Sequence, residues 1–255
     1  MKKHISFSEL KKWDFCPFYH KLTYIDGLKG FTGNIFTAFG SAIHHTCEKI
    51  ILEKVSQEAA TDYFCEEFIK EVASLEDEVD EKSFENMLPQ GITLAEMAIP
   101  SLKKEFGSFE LIGVEEKLYE PIKGADYNFK GFIDLIIKTD DGKYHVIDWK
   151  TCSWGWNTRK KTDPMVVYQL VLYKHYFSKK YNIEPKNIEA HFALLKRTAK
   201  KNNVEFLRVT TGPKRTKNSL DLLLKAVYNI KNKNFVKNKL KCENCEFYKT
   251  PDCPR

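Results

Sequence analysis

No stretch of this 255-residue chain holds the roughly 18 consecutive apolar residues that cross a bilayer as a helix. A spanning helix is therefore not expected. The first residues, Met1-Lys2-Lys3-His4-Ile5-Ser6, carry charge but no apolar run behind it, so a signal peptide is not expected either. No G-x-x-x-x-G-K-[ST] loop occurs, which excludes an ATP motor of the phosphate-loop type. Internal repeats and low-complexity tracts are also lacking. The expectation is a cytoplasmic protein with no membrane partner. In that compartment seven cysteines read as thiols or metal ligands, not as disulfides.

What is present is an ordinary globular composition, 42% hydrophobic and 30% charged, on a chain long enough to bury its own core without staples. The net charge of +6 is unevenly spread. Between Lys196 and Lys241 lie 14 Lys or Arg, opposed only by Glu205 and Asp221, so this segment carries +12 and the remainder −6. A basic segment on an acidic remainder points to a polyanionic partner. The bland alternative is a solvated Lys/Asn-rich surface from an AT-rich bacterial, archaeal or phage genome.

Hydrophobic spacing divides the chain. Ser6 and Glu9 have the spacing of a capping box, opening a short helix to about Phe15 that Cys16-Pro17 stops or kinks. Helical spacing recurs over 40–55, 60–72 and 94–106, while the acidic stretch 74–86 reads as loop or exposed helix end. Strands are expected over 109–121, 127–138 and 143–151, with Asp140-Asp141-Gly142 turning between the last two. A helix over 164–177 follows, then strands over 188–195 and 204–209, and an amphipathic helix marked by Leu220, Leu223, Leu224 and Val227. The fold class is α/β: a central mixed sheet flanked by helices, with a helical N-terminal region. One domain over 1–255 is expected, with a helical part at 1–106, an α/β core at 107–210, and a last helix with a cysteine-rich tail at 211–255.

Four constellations carry chemistry. Asp134 follows Gly131 by three residues in one strand, and Asp148 lies on the next with Lys150 two residues on, on the same strand face. Two neighbouring carboxylates repel unless a divalent cation neutralises them, and hard oxygen ligands suit Mg²⁺ or Mn²⁺. A lysine beside such a cation suits phosphodiester hydrolysis. Gly40, His44 and Glu48 share one helix face at i, i+4, i+8, so His44 is a further candidate ligand, while His45 points about 100° away. Gln169 and Tyr173 pair at i, i+4 on another helix. Finally, Cys242-x₂-Cys245-x₇-Cys253 offers three soft ligands in a tail with no core of its own, and Cys16 is the candidate fourth. Four cysteines hold zinc or an iron–sulfur cluster; spacing leaves the choice open. Cys47, Cys65 and Cys152 read as buried thiols.

In this order the motifs resemble the RecB-like branch of the PD-(D/E)XK nucleases: Ser6-x-Ser8-x-Leu10 through Cys16-Pro17, Gly40-x₃-His44-x₃-Glu48, Gly131-x₂-Asp134, Asp148-x-Lys150 and Gln169-x₃-Tyr173. The proline of the family name is replaced by Ile133. One front cysteine with three at the back is similar to the iron–sulfur members, such as the AddB C-terminal domain and CRISPR-associated RecB-like exonucleases. The resemblance implies a restriction-endonuclease-like core. Asp134, Asp148, His44 and the Trp149 carbonyl would bind Mg²⁺ or Mn²⁺, and Lys150 would position the water. Gln169 and Tyr173 would support the site, with Glu116 orienting it. Cys16, Cys242, Cys245 and Cys253 would hold a 4Fe–4S cluster, zinc being the alternative. The implied activity is a deoxyribonuclease, an exonuclease on single-stranded DNA or DNA ends in repair, recombination or replication. Its partners would be DNA and a helicase or other recombination protein. The basic segment, including Lys196, Arg197, Lys214 and Arg215, would line the DNA path. Competing readings are a CRISPR spacer-processing or structure-specific endonuclease, and a catalytically inactive, metal-stapled DNA-binding subunit. A zinc-ribbon transcription factor stands further off, because it leaves Asp134, Asp148 and Lys150 without a task.

Overall fold

Short polar residues set the helix starts of this chain. In the computed structural model, which describes residues 3–254, the Ser6 hydroxyl accepts from the Glu9 amide at 3.2 Å. The elements in order are β1 (His4–Ser6), α1 (Phe7–Phe15), α2 (Pro17–His20), a π-turn (Lys21–Ile25), α3 (Ile35–Ile51), α4 (Ala60–Ala73), α5 (Glu81–Phe106), β2 (Phe109–Pro121), β3 (Asn128–Thr139), β4 (Tyr144–Cys152), α6 (Thr158–Thr162), α7 (Pro164–Tyr181), β5 (Ile188–Lys196), β6 (Val204–Arg208) and α8 (Pro213–Lys231). They form two compact units. One comprises Met1–Thr32, Lys117–Gly131 and Gly212–Arg255; the other comprises Gly33–Glu116 and Phe132–Thr211.

The larger unit is a mixed sheet with helices on its faces. β3 and β4 pair antiparallel with Leu135 opposite Ile147; Gly142, at φ +80, makes the turn between them. β4 and β5 pair parallel through nine residues, from Tyr144 opposite Ile188 to Cys152 opposite Lys196. A parallel pair needs a crossover, and α6 and α7 provide it. β5 and β6 close the sheet antiparallel. Alternation along β4 then serves two cores. Ile147 and Trp149 join the apolar residues of α3, α4 and α5, while Asp148 faces α7, where Gln169 hydrogen-bonds it.

α3 begins at Ile35, five residues before the spacing around Gly40 suggests. The reason is a cap: Asn34 accepts from the Phe36 and Thr37 amides, and Thr37 Oγ1 accepts from the Asn34 amide at 2.8 Å. α5 likewise begins at Glu81, with Asp80 accepting from the Ser83 amide at 2.9 Å. Its first turns are exposed and acidic, so the apolar stripe appears only from Met87 onward. Where α4 meets α5, Gly91 lets the ring of Phe64 approach so closely that a Cβ would lie 1.9 Å from Cζ.

In the smaller unit β1 pairs parallel with the start of β3, Ile5 opposite Phe129. Glu9 does not close the expected capping box. Its side chain is buried and meets the buried His20 Nε2 at 2.9 Å. Pro17 begins α2 after Cys16, whose backbone is extended. The tail returns to this turn: the Phe18 amide donates to the Val236 carbonyl, and Asn238 Nδ2 donates to the Phe15 carbonyl at 2.9 Å. Among the described residues, no helix is long and apolar enough to cross a membrane.

Candidate active site

Beyond Leu135 the backbone ladder between β3 and β4 gives way, and a side chain takes its place. The Trp149 amide donates to Asp134 Oδ2 at 2.8 Å. This anchors Asp134 beside Asp148, which is 1% exposed. Asp148 Oδ1 accepts from Gln169 Nε2 at 2.7 Å, and Lys150 Nζ lies 2.6 Å from Asp148 Oδ2. Gln169 Nε2 also lies 3.3 Å from the Tyr173 hydroxyl. From α3, His44 Nδ1 approaches Asp134 Oδ2 at 3.7 Å. Six side chains from β3, β4, α3 and α7 thus converge in the larger unit: His44, Asp134, Asp148, Lys150, Gln169 and Tyr173. On α3 Gly40 lies beside Thr151, and a Cβ there would be 3.6 Å from Thr151 Oγ1, an ordinary contact.

The electrostatics follow from burial. Asp134 and Asp148 are each pushed up to about 6, by burial above all, against the pull of Lys150. Burial opposes the charge on Lys150, but Asp148 and Asp134 outweigh it and raise its pKa. His44 is pushed down to about 4 by loss of solvent and by the charge of Lys150, so at neutral pH its imidazole is uncharged with a lone pair to offer. Burial and the charge of Asp148 raise Tyr173, which stays a phenol.

Glu116, expected to orient the site, is placed elsewhere: it is held by Lys180 and Tyr181 on α7. Its neighbour Glu115 is the residue whose charge reaches Asp134, Asp148 and Glu48. Partial desolvation, Glu48 and Asp148 raise its pKa. Glu115 adopts a left-handed backbone, φ +49, inside β2. No residue pattern in Val114-Glu115-Glu116-Lys117 announces that irregularity. Glu48 pairs with Lys49, and His45 turns to Glu67 at 2.8 Å.

In the smaller unit the cysteines converge on a second place. Cys16, Cys242, Cys245 and Cys253 line one small cavity with Phe15, Tyr19 and Leu22. Cys16 Sγ accepts from the Asn238 amide at 3.3 Å. Cys47 is buried in the larger unit's core, and burial and Asp134 push its thiol up to about 12.

The four basic residues divide between the two units. Lys196 is buried with its ammonium 3.4 Å from Glu205. The Arg197 guanidinium donates to Gln90 at 3.1 Å and lies over the rings of Phe36 and Phe39. Lys214 and Arg215 belong to the other unit, in the first turn of α8.

No curated protein matches the chain. Among solved structures it is similar to a protein from Eubacterium rectale provisionally named an exonuclease. The TM-score is 0.58 at 12% identity, over 93% of this chain and 85% of that one. At that identity the likeness speaks for the fold. A second likeness, to SSO0001, has a TM-score of 0.43 at 16% identity, over 97% of this chain and 84% of that one. The profile of the PD-(D/E)XK nuclease superfamily matches residues 4–250, nearly the whole length, and the chain belongs to that superfamily.

Proposed function

We propose that this nuclease is a metal-dependent deoxyribonuclease, an exonuclease acting on single-stranded DNA or DNA ends in repair, recombination or replication. The observation that carries the proposal is the pair of desolvated carboxylates, the half-buried Asp134 and the buried Asp148, faced by Lys150. Glu115 adds negative charge nearby. Such a pocket is short of positive charge, and the oxygen donors beside a neutral imidazole suit Mg²⁺ or Mn²⁺. The residues therefore fit the divalent cation on which the superfamily relies. Asp134, Asp148, His44 and the Trp149 carbonyl would hold it. When bound, the ion supplies charge neutralisation to a phosphodiester and acidity to water.

The chain's own groups supply the rest. Lys150, fixed against Asp148, presents an ammonium to the phosphate and to the attacking water. Gln169 fixes the rotamer of Asp148, and Tyr173 holds Gln169. Trp154, 79% exposed, follows β4 directly and offers a face on which a base can stack. Arg197, Lys214 and Arg215 would meet DNA phosphates, and Lys196 would act by holding Glu205. Cys16, Cys242, Cys245 and Cys253 would hold a 4Fe–4S cluster. The four line one small cavity, and zinc is the alternative occupant. A helicase or recombination protein would be the partner, since the chain lacks an ATP loop.

The test uses anaerobically purified full-length chain with Mn²⁺ or EDTA on end-labelled linear and covalently closed circular single-stranded DNA. Mn²⁺-dependent degradation of the linear strand alone is expected. Cleavage of both would assign an endonuclease. Binding without cleavage of either would assign the inactive DNA-binding subunit.

A further inference from the structure

Outside the site just described, three other ligand groups meet in the larger unit. His145 on β4 lies directly opposite Glu189 on β5, and His191 lies two residues beyond Glu189 on the same strand face. Both imidazoles are buried. His145 Nδ1 and His191 Nε2 are 3.2 Å apart, His191 Nε2 and Glu189 Oε2 are 3.6 Å apart, and one ligand atom from each residue lies within 4.8 Å of the other two. A tetrahedral ion with bonds of about 2.0–2.2 Å separates its ligands by about 3.3–3.6 Å. The two closer separations thus bracket the edge of a coordination tetrahedron. The longer one is beyond hydrogen-bond reach, and it is an ion pair only when His191 is protonated.

The surroundings fix which atoms face inward. The Thr139 hydroxyl has one hydrogen, and its shortest contact is to Asp141 Oδ1 at 2.6 Å. It therefore accepts from His145 Nε2–H at 3.0 Å, which leaves Nδ1 as the lone-pair nitrogen turned to His191. Glu189 is oriented in the same way. Its Oε1 takes Arg208 at 3.0 Å and Lys143 at 3.4 Å, and Oε2 is turned to His191. The Phe106 ring covers both imidazoles, with centroids 4.8 and 5.3 Å away. Asp141 and Glu189 offset Lys143 and Arg208, so net charge does not draw a hard cation here. Two imidazoles in apolar cover favour instead a borderline ion that bonds nitrogen.

We propose that His145, His191 and Glu189 form a second metal site, which takes a zinc-type divalent transition ion with its fourth position open to water. Coordination there ties β4 to β5. His145 is three residues from Asp148, about 10 Å along the strand, and on the opposite face. The ion is therefore structural and independent of the proposed cleavage chemistry. Binding requires the Nε2 hydrogen of His191 to move to Nδ1 or to solvent.

The test is a crystal of the full-length chain equilibrated with Zn²⁺, with anomalous difference maps collected above and below the zinc edge. A peak about 2.1 Å from His145 Nδ1, His191 Nε2 and Glu189 Oε2 is expected; no peak there would overturn the site. In solution, His191→Gln and Glu189→Gln are compared with the parent chain for zinc retained on dialysis in excess Mg²⁺. Each folded variant should retain one ion fewer per chain, and equal zinc content would refute the proposal. If either variant fails to fold, the crystal result on the parent chain decides.

Discussion

Replacing Asp148 by Asn should make the metal-free protein more stable while abolishing cleavage. Asp148 is 1% exposed, and its pKa rises from 3.8 to about 6. A shift of about two units corresponds to about 3 kcal/mol between the protonation states. The sign follows from the direction. Because the folded-state pKa is raised, the fold favours the protonated acid. Stability is complete below about pH 4 and is lost as pH rises through about 6. Asparagine keeps an Oδ1 that accepts from Gln169 and carries no charge. Lys150 loses its closest partner but keeps Asp134, which offsets part of the gain. The net stabilisation at neutral pH in EDTA should be about 1–2 kcal/mol, a rise in Tm of roughly 2–8 °C for a chain of this size. Thermal unfolding of both proteins across pH, with EDTA or Mg²⁺, measures it. The gap should close toward pH 4, and Mg²⁺ should narrow it by stabilising the parent chain alone. A variant less stable than its parent at neutral pH in EDTA, or a gap independent of pH, would refute the reasoning.

Other outcomes follow from single contacts. Gln169→Ala should leave unfolding unchanged within about 1 kcal/mol while lowering cleavage roughly 10–100-fold, because it frees the Asp148 rotamer; kcat and Tm measured together check this. Gly91→Ala drives a methyl into the ring of Phe64 and should cost about 3 kcal/mol or more, read by urea unfolding. Cys16→Ser should reduce the iron content of anaerobically purified protein, whereas Cys47→Ser, buried away from that cavity, should not; iron analysis of both distinguishes them.

Much of the fold could be read from local pattern. The β2 bounds and the crossover helix beginning at Pro164 followed from period changes and turn residues. Asp134, Asp148 and Lys150 were legible because a two-residue strand period fixes the face a side chain takes. What stayed hidden depends on contacts that no period encodes. The Asn34 cap starts α3 at Ile35, one turn ahead of the spacing around Gly40, and the exposed first turns of α5 look like loop. Glu116 is held by Lys180 and Tyr181, while the charge of Glu115, at a left-handed residue that leaves no mark in composition, is the one that reaches Asp134 and Asp148. Glu9 was readable as a capping residue but is drawn to His20, eleven residues away. The His145, Glu189 and His191 group needs the parallel register of β4 and β5, which joins residues 44 and 46 positions apart.

The most direct test of the account is cleavage of labelled single-stranded DNA by the parent chain and by Lys150→Ala, with Mn²⁺, Mg²⁺ or EDTA, alongside DNA affinity for both. The parent should cut only with a divalent ion, and Lys150→Ala should cut at least about a hundredfold more slowly while binding DNA as its parent does. Cleavage in EDTA, or undiminished cleavage by Lys150→Ala, would contradict the assignment of the chemistry to Asp134, Asp148 and Lys150.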